Sequence, residues 1–166
     1  MTNIRITRVQ ASDAAELIAA NLANKAYHTP WTEPFVDMAG FEAWFTCTQS
    51  DNHASLIARE SANGGIVGVI NFSEIVRGVF QSAYTGFYGM SAYAGRGLMT
   101  EALKAAAQYA FTDLDLHRLE ANIRPENARS IALVQRVGFR KEGYSPRYLF
   151  LDGAWRDHER WAITRD

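Results

Sequence analysis

The stretch from Tyr84 to Ala110, Y-T-G-F-Y-G-M-S-A-Y-A-G-R-G-L-M-T-E-A-L-K-A-A-A-Q-Y-A, has the residue types and spacing of an anion site. Its aromatic first part reads as a strand and Gly95-Arg96-Gly97 as a turn. Met99, Ala102, Leu103, Ala106 and Ala110 then recur at helical spacing and form one apolar face. A glycine turn feeding a helix start leaves several backbone N–H groups unpaired at the positive end of the helix dipole. Those donors suit a phosphate, and glycine lets the backbone approach it with no Cβ in the way. Cys47 is the only cysteine. In the helical context F-E-A-W-F-T-C-T it is expected to be a buried, inert thiol, and one cysteine excludes an internal disulfide or a cysteine-rich metal site. No metal is expected.

Phosphate-binding glycine turns have several owners. A P-loop is excluded, because no Gly-Lys-Ser/Thr follows. A dinucleotide fingerprint is met at Gly95 and Gly97, but its third glycine position holds Thr100. Glu120 lies at about the distance of the ribose-binding acid, yet falls in mid-strand. Too little chain remains for a second mononucleotide-binding half.

The elements that must position the turn follow from periodicity and turn chemistry. A strand is expected over Asn3 to Val9, then a helix capped by Ser12 or Asp13 and ending near Lys25. Tyr27 to Pro34 reads as a loop stiffened by two prolines. Its aromatics Tyr27 and Trp31 either line a substrate site or fold back over the core. A helix over Val36 to Ser50 precedes strands at Ala54–Arg59 and Ile66–Ile75, joined by an Asn63-Gly64-Gly65 turn. A further strand spans Val79 to Met90 with an interruption near Gly86, and the helix after Gly97 runs to about Thr112. His117 to Arg124 alternates as a half-buried strand, with Glu120 and Asn122 on one side. Asn127 caps another helix and Gly138 stops it. Tyr148–Leu151 and Ala154–Thr164 form a closing hairpin about Asp152-Gly153.

The order β-α-α-β-β-β-α-β-α-β-β makes a mixed α/β class, and 166 residues suit a single domain over 1–166. A formal net charge of -1 offers no field to draw nucleic acid or an anionic membrane, so an anion must be held locally. The N-terminus alternates apolar and polar residues without a hydrophobic signal region, and no run is long enough to span a bilayer. The default expectation is a soluble cytoplasmic protein, monomer or homodimer.

Several motifs together resemble the GNAT family of acetyl-CoA-dependent N-acetyltransferases. They are Ala94-Gly95-Arg96-Gly97-Leu98-Met99, Pro125-Glu126-Asn127-Ala128-Arg129-Ser130 and Val137-Gly138-Phe139. Val76-Arg77-Gly78, Gly138-Phe139-Arg140-Lys141-Glu142-Gly143-Tyr144 and Asp152-Gly153-Ala154-Trp155-Arg156-Asp157-His158 are similar, more narrowly, to its ribosomal-protein-alanine N-acetyltransferase branch. The likeness spans nearly the whole chain and is weakest from Glu33 to Asn63. Two positions depart from the family pattern. The turn begins with Ala94 and ends with Met99, and the seventh residue after Asn127, where many members carry a tyrosine acid, is Val134.

The resemblance implies a mixed, largely antiparallel central sheet flanked by helices. It also implies a splay between the strand ending near Ser91 and the strand from His117 to Arg124. Acetyl-CoA would lie in that gap. Backbone N–H groups near Met90, Ser91 and Ala92 would polarise its carbonyl, and Gly95, Arg96, Gly97, Leu98, Met99 and Thr100 would hold its pyrophosphate. Asn127 would bind the pantetheine chain and Ser130 would give a proton to the departing thiolate. Glu120 could take the amine's proton through water, although a partner role for Arg118 fits it equally. His28 and His158 are the other titratable candidates. The acceptor implied is a protein N-terminus, with alanine-first ribosomal protein foremost. A small-molecule amine, or coenzyme A binding with little catalysis, are the alternatives.

Overall fold

The computed structural model describes residues 2–166. Seven strands make one sheet: β1 (Ile4–Arg8), β2 (Ala54–Glu60), β3 (Ile66–Val76), β4 (Ser82–Gly89), β5 (Arg118–Ile123), β6 (Arg140–Leu151) and β7 (Ala154–Thr164). Their order is β1-β2-β3-β4-β5-β7-β6. Every neighbouring pair is antiparallel except β4–β5. A parallel pair needs a long crossover. That crossover is α4 (Leu98–Thr112), which starts at the glycine turn.

The sheet is covered on both faces, so β2 reads as an almost continuous buried run rather than an alternating one. On one face lies α4, whose buried stripe includes Ala102, Leu103, Ala106, Ala107 and Ala110. With it lies α5 (Ala128–Val137), which buries Leu133, Val134 and Val137. On the other face α1 (Ala14–Ala23) and α3 (Met38–Thr48) place Leu17 and Phe41 against Ile57, Val69 and Met90. No helix among the described residues is long and apolar enough to cross a membrane.

Most expected elements form, and the differences have local causes. The first helix stops at Ala23, and a separate turn, α2 (Lys25–His28), takes Tyr27 and His28 out of the expected loop. Asp13 does not cap α1. Its Oδ2 accepts from the Gln10 N–H at 2.7 Å and closes a 3₁₀ turn over Ala11–Asp13. The next helix starts at Met38 rather than Val36, because the Asp37 carboxylate accepts from the Gly40 N–H at 2.8 Å and sets the boundary there. Strand β4 begins at Ser82, since Gly78 and Gln81 both take positive φ and carry Val79 and Phe80 into solvent. It then runs through Gly86 without interruption, in register with Asn71. Strand β6 starts eight residues before Tyr148, at Arg140. It is a mostly exposed edge strand with shifts in register, so it shows no clean alternation to read. Cys47 is exposed on α3, not buried, because Phe41 and Thr48 supply that helix's buried side.

Arg59 joins the chain's first turn to the sheet. It donates to both Glu16 oxygens at 2.8 and 2.7 Å, to Asp13 at 3.2 Å and to the Gly64 carbonyl at 2.9 Å. Its guanidinium holds the Glu16 carboxyl below its ordinary value. A carboxyl lowered in this way stabilises the fold above the unfolded value near ~4.3 and ceases to as pH falls through the folded one. Arg59→Ala is therefore expected to cost about 1 kcal/mol at neutral pH. Urea unfolding at a series of pH values checks this: the gap to the parent protein should shrink in acid, and a gap constant with pH contradicts it.

Candidate functional site

Strands β4 and β5 pair over only three positions, Ser82 with Arg118, Ala83 with Leu119 and Tyr84 with Glu120. Beyond them β4 stays paired with β3 through Gly89, while β5 stays paired with β7 through Ile123. The two strands are thus pulled apart into a wedge. The Met90 N–H donates to Val67 O at 2.9 Å, which fixes the phase of the β3–β4 ladder. By the alternation of such ladders, the backbone groups of Phe87 and Gly89 face the wedge. Gly89 confirms the phase, for its carbonyl accepts from His28 Nε2 at 2.8 Å on that side.

The wedge opens into a cleft of about 790 Å³. Its floor is Thr85 to Met90, and one wall is the turn before α4. The opposite wall runs from Asn122 through Ser130 to Arg136, and Tyr27, His28 and Trp31 overhang it. A smaller hollow of about 340 Å³ adjoins it at Thr32 and at Gly86 to Tyr88, and Glu33 is part of its lining.

At the glycine turn, Gly95 and Gly97 have φ of 74° and 76°, the left-handed conformation that glycine adopts freely. The N–H groups of Gly95, Arg96, Gly97, Leu98 and Met99 find no acceptor among the described residues, whereas Thr100 N–H donates to Gly97 O at 3.0 Å. Five successive free donors at the start of a fifteen-residue helix make an anion cradle. The Arg96 side chain turns away from it. Its guanidinium pairs with the buried Glu60 carboxylate and lies 5.4 Å from the Tyr93 ring centroid. Leu98 points into the core.

Other expected site residues divide between cleft and scaffold. Asn127 lines the cleft, and its Oδ1 accepts from the Ser130 N–H at 3.2 Å as the cap of α5. Ser130 stands on the same wall, and Val134 one turn later is fully buried. Met90, Met99 and Thr100 line the cleft, whereas Ser91 and Ala92 lie in a short 3₁₀ turn outside its lining. The Ser91 N–H is taken by Asn24 Oδ1 at 2.8 Å, so with Met90 bonded to Val67 the donors facing the wedge come one to three residues earlier. Glu120 stands outside the lining, at the last position where β5 pairs with β4, and Arg118 Nε donates to it at 2.9 Å. Arg118 also grips Glu142 and holds that carboxyl below its ordinary value.

Three arginines complete the site. Arg136 reaches across from α5 to Thr100 Oγ1 at 3.3 Å. Arg124 lies 5.3 Å from the Trp31 ring centroid and Arg129 5.6 Å from that of Tyr27, holding the overhanging aromatics to the far wall. Sequence reasoning passed over all three, although Arg129 and Arg136 stand seven residues apart on one helix and share a face. It also missed Thr85 and Tyr88. Three buried side-chain atoms of cleft residues lack a partner, His28 Nδ1, Thr85 Oγ1 and Asn122 Oδ1, whereas the Tyr88 hydroxyl stands within reach of the Asn21 side chain. Buried polar atoms are nearly always paired, and these three belong to residues that line one cleft. Burial pushes the Tyr88 phenol up to about 12, so it remains a donor at neutral pH.

A model of the acetyltransferase (GNAT) domain matches residues 3–140. The [Ribosomal protein uS5]-alanine N-acetyltransferase of Escherichia coli (strain K12) is 48% identical over 99 residues, 60% of this chain and 51% of that protein. The chain therefore spans about half the length of that curated relative. The spermidine N(1)-acetyltransferase of Vibrio cholerae is 25% identical over 133 residues, 80% of this chain and 76% of that protein. Mycobacterium smegmatis RimJ, solved in complex with CoA-disulfide, has a TM-score of 0.86 at 32% identity, over 97% of this chain and 81% of that one.

A Cβ at Gly97 would meet nothing within 4 Å, so Gly97→Ala tests the backbone conformation alone. It is expected to cost about 1 kcal/mol. Asn127→Ala is expected to cost about as much by removing the cap of α5, and Asn127→Asp to restore most of it. Unfolding midpoints check both. A neutral Gly97→Ala contradicts the left-handed turn, and a neutral Asn127→Ala contradicts the cap.

Proposed function

The chain belongs to the GNAT acetyltransferase family, and we propose that it transfers the acetyl group of acetyl-CoA to the N-terminal amine of a protein, a ribosomal protein beginning with alanine foremost. The observation that carries this is the wedge itself: an unpaired strand edge leading to five free backbone donors. A pyrophosphate fits the donors of Gly95 to Met99, with Arg136 at their side. An extended pantetheine chain, which carries amides, finds the edge groups of Phe87 and Gly89. The Gly89 N–H then polarises the thioester carbonyl and is aimed where charge develops on its oxygen. Ser130, on the wall opposite, hands its proton to the departing thiolate, the role left open by the core position of Val134. The activity is assigned to residues 1–166 as one domain. Acetyl-CoA and ribosomal acceptors meet in the cytoplasm, where we place the reaction.

The charge of the cleft favours a peptide acceptor over a polyamine. Among the described residues its lining holds Arg124, Arg129 and Arg136 and no carboxylate. Glu33 in the adjoining hollow is a single anion, suited to one ammonium rather than several. A peptide also brings carbonyl groups for the arginines to meet. The uS5-alanine acetyltransferase relatives support the same acceptor class.

The test is free-thiol release from acetyl-CoA in the presence of peptides beginning with Ala, Ser or Met, and of spermidine. Turnover of the alanine peptide is expected, at least about tenfold above spermidine in kcat/KM. Ser130→Ala should lower kcat about a hundredfold with the peptide KM held. The absence of release above background with every peptide rules the proposal out, and preferred turnover of spermidine reverses the acceptor assignment.

A further inference from the structure

His28 is only 4% exposed and overhangs the cleft at the end of β4. Its Nε2 lies 2.8 Å from the Gly89 carbonyl oxygen. A carbonyl only accepts, so Nε2 carries a proton and the neutral ring holds its lone pair at Nδ1. That Nδ1 is buried and has no partner among the described residues. The ring is fixed by more than this one bond. Tyr88 of β4 meets it edge-on with centroids 5.0 Å apart, and Tyr27 of the same short helix lies at 6.0 Å. One nitrogen is therefore spent on orientation, and the other, on a residue that lines the cleft, has no partner among the described residues.

The bond to Gly89 puts the imidazole at the residue whose N–H faces the wedge. On the acetyl-transfer reading, on which this inference rests, an amine attacking a carbonyl held there arrives beside the ring. We infer that His28 is the catalytic base, accepting at Nδ1 the proton that the acceptor's ammonium must lose. The ammonium gives one proton to Nδ1 and becomes a free amine. Its lone pair forms the C–N bond to the thioester carbon, and the tetrahedral intermediate collapses with cleavage of the C–S bond. The departing sulfur takes a second proton, delivered through Ser130, which is re-protonated from the amine nitrogen. The third proton stays on the product amide, and His28 passes its proton to solvent. The sum is ammonium plus thioester giving amide, thiol and one proton.

The other bases weighed for this step are placed less well. Glu120 is held by Arg118 outside the cleft. The remaining cleft histidine, His158, donates from Nδ1 to the Arg156 carbonyl of its own strand at 2.9 Å and stands on β7, across the wedge from Gly89 of β4. The groups facing His28 from the elements around it are Tyr88 of β4 and Tyr27 of α2. The guanidinium groups of Arg124 and Arg129 reach the same overhang through Trp31 and Tyr27.

His28→Gln separates base from brace, because a glutamine amide can still donate to Gly89 but has no basic nitrogen. The parent protein, His28→Gln and His158→Gln are compared with acetyl-CoA and an alanine-first peptide, with melting temperature and coenzyme A affinity measured on each. For His28→Gln, kcat at about pH 7 should fall roughly a hundredfold while KM for acetyl-CoA stays within about twofold. The deficit should close as pH rises past the acceptor amine's own value near ~8, where free amine no longer has to be made. His158→Gln should stay within about fivefold of the parent. If the glutamine variant does not fold, His28→Ala with added imidazole serves, and recovery of kcat with imidazole is expected. Parent-level kcat in His28→Gln, a loss that is independent of pH, or no imidazole rescue overturns the role of His28 while leaving the transferase standing. A parent protein with no turnover of any amine overturns both.

Discussion

The parting of β5 from β4 after three residue pairs governs the rest of this molecule. Backbone N–H and C=O groups are costly to leave unpaired, so an open strand edge inside a covered sheet demands a partner. Here the neighbouring ladders hold the edge open: β4 is bound to β3 along its length and β5 to β7. Neither strand can move to close the gap without breaking its other ladder. The crossover that makes β4 and β5 parallel also delivers the glycine turn and the start of α4 to the mouth of the same gap. One topological feature thus supplies both a strand edge and a helix terminus to one ligand.

Electrostatics sorts the two ends of the cleft. At the turn the backbone supplies the free donors, and the one charged side chain within it, Arg96, is spent on the buried carboxylate of Glu60. That pair fastens the turn to the end of β2, and Asn63 supplies the same carboxylate with a further donor at 2.7 Å. At the other end, Arg124 and Arg129 pin the aromatic overhang across the opening, leaving an entrance that is cationic with a single nearby anion, Glu33. This charge balance is what supports the peptide acceptor proposed above over a polyamine.

What was legible in the residues was local. Gly95 and Gly97, the cap at Asn127 and the stop at Gly138 each depend on a few neighbouring dihedrals, and each is found where the residue types put it. The pairing of Arg118 with Glu120 was legible for the same reason, since residues two apart share one side of a strand. Errors cluster where a partner distant in sequence decided the outcome. Asp13 turned back to Gln10 and left Glu16 to Arg59, which is forty-three residues away. Strand β6 was read too short because an exposed edge carries no alternation of apolar residues. The apolar neighbours of Cys47 imply a buried thiol, but its helix packs on Phe41 and Thr48 and leaves it outside.

The chain's own residues determined the mixed α/β class, the order of its main elements and the glycine turn before α4, because periodicity, caps and glycine dihedrals are short-range properties. Their resemblance to one acetyltransferase family pointed to the remaining sheet and the ligand. Tertiary structure alone decided which backbone donors face the wedge, and it shifted them from Met90, Ser91 and Ala92 to Phe87 and Gly89. It also decided that Arg96 is a brace, that Glu120 lies outside the cleft, and that His28 keeps one nitrogen free. These depend on strand register and on contacts between residues far apart in the chain, and a shift of one residue in register reverses every one of the β4 assignments.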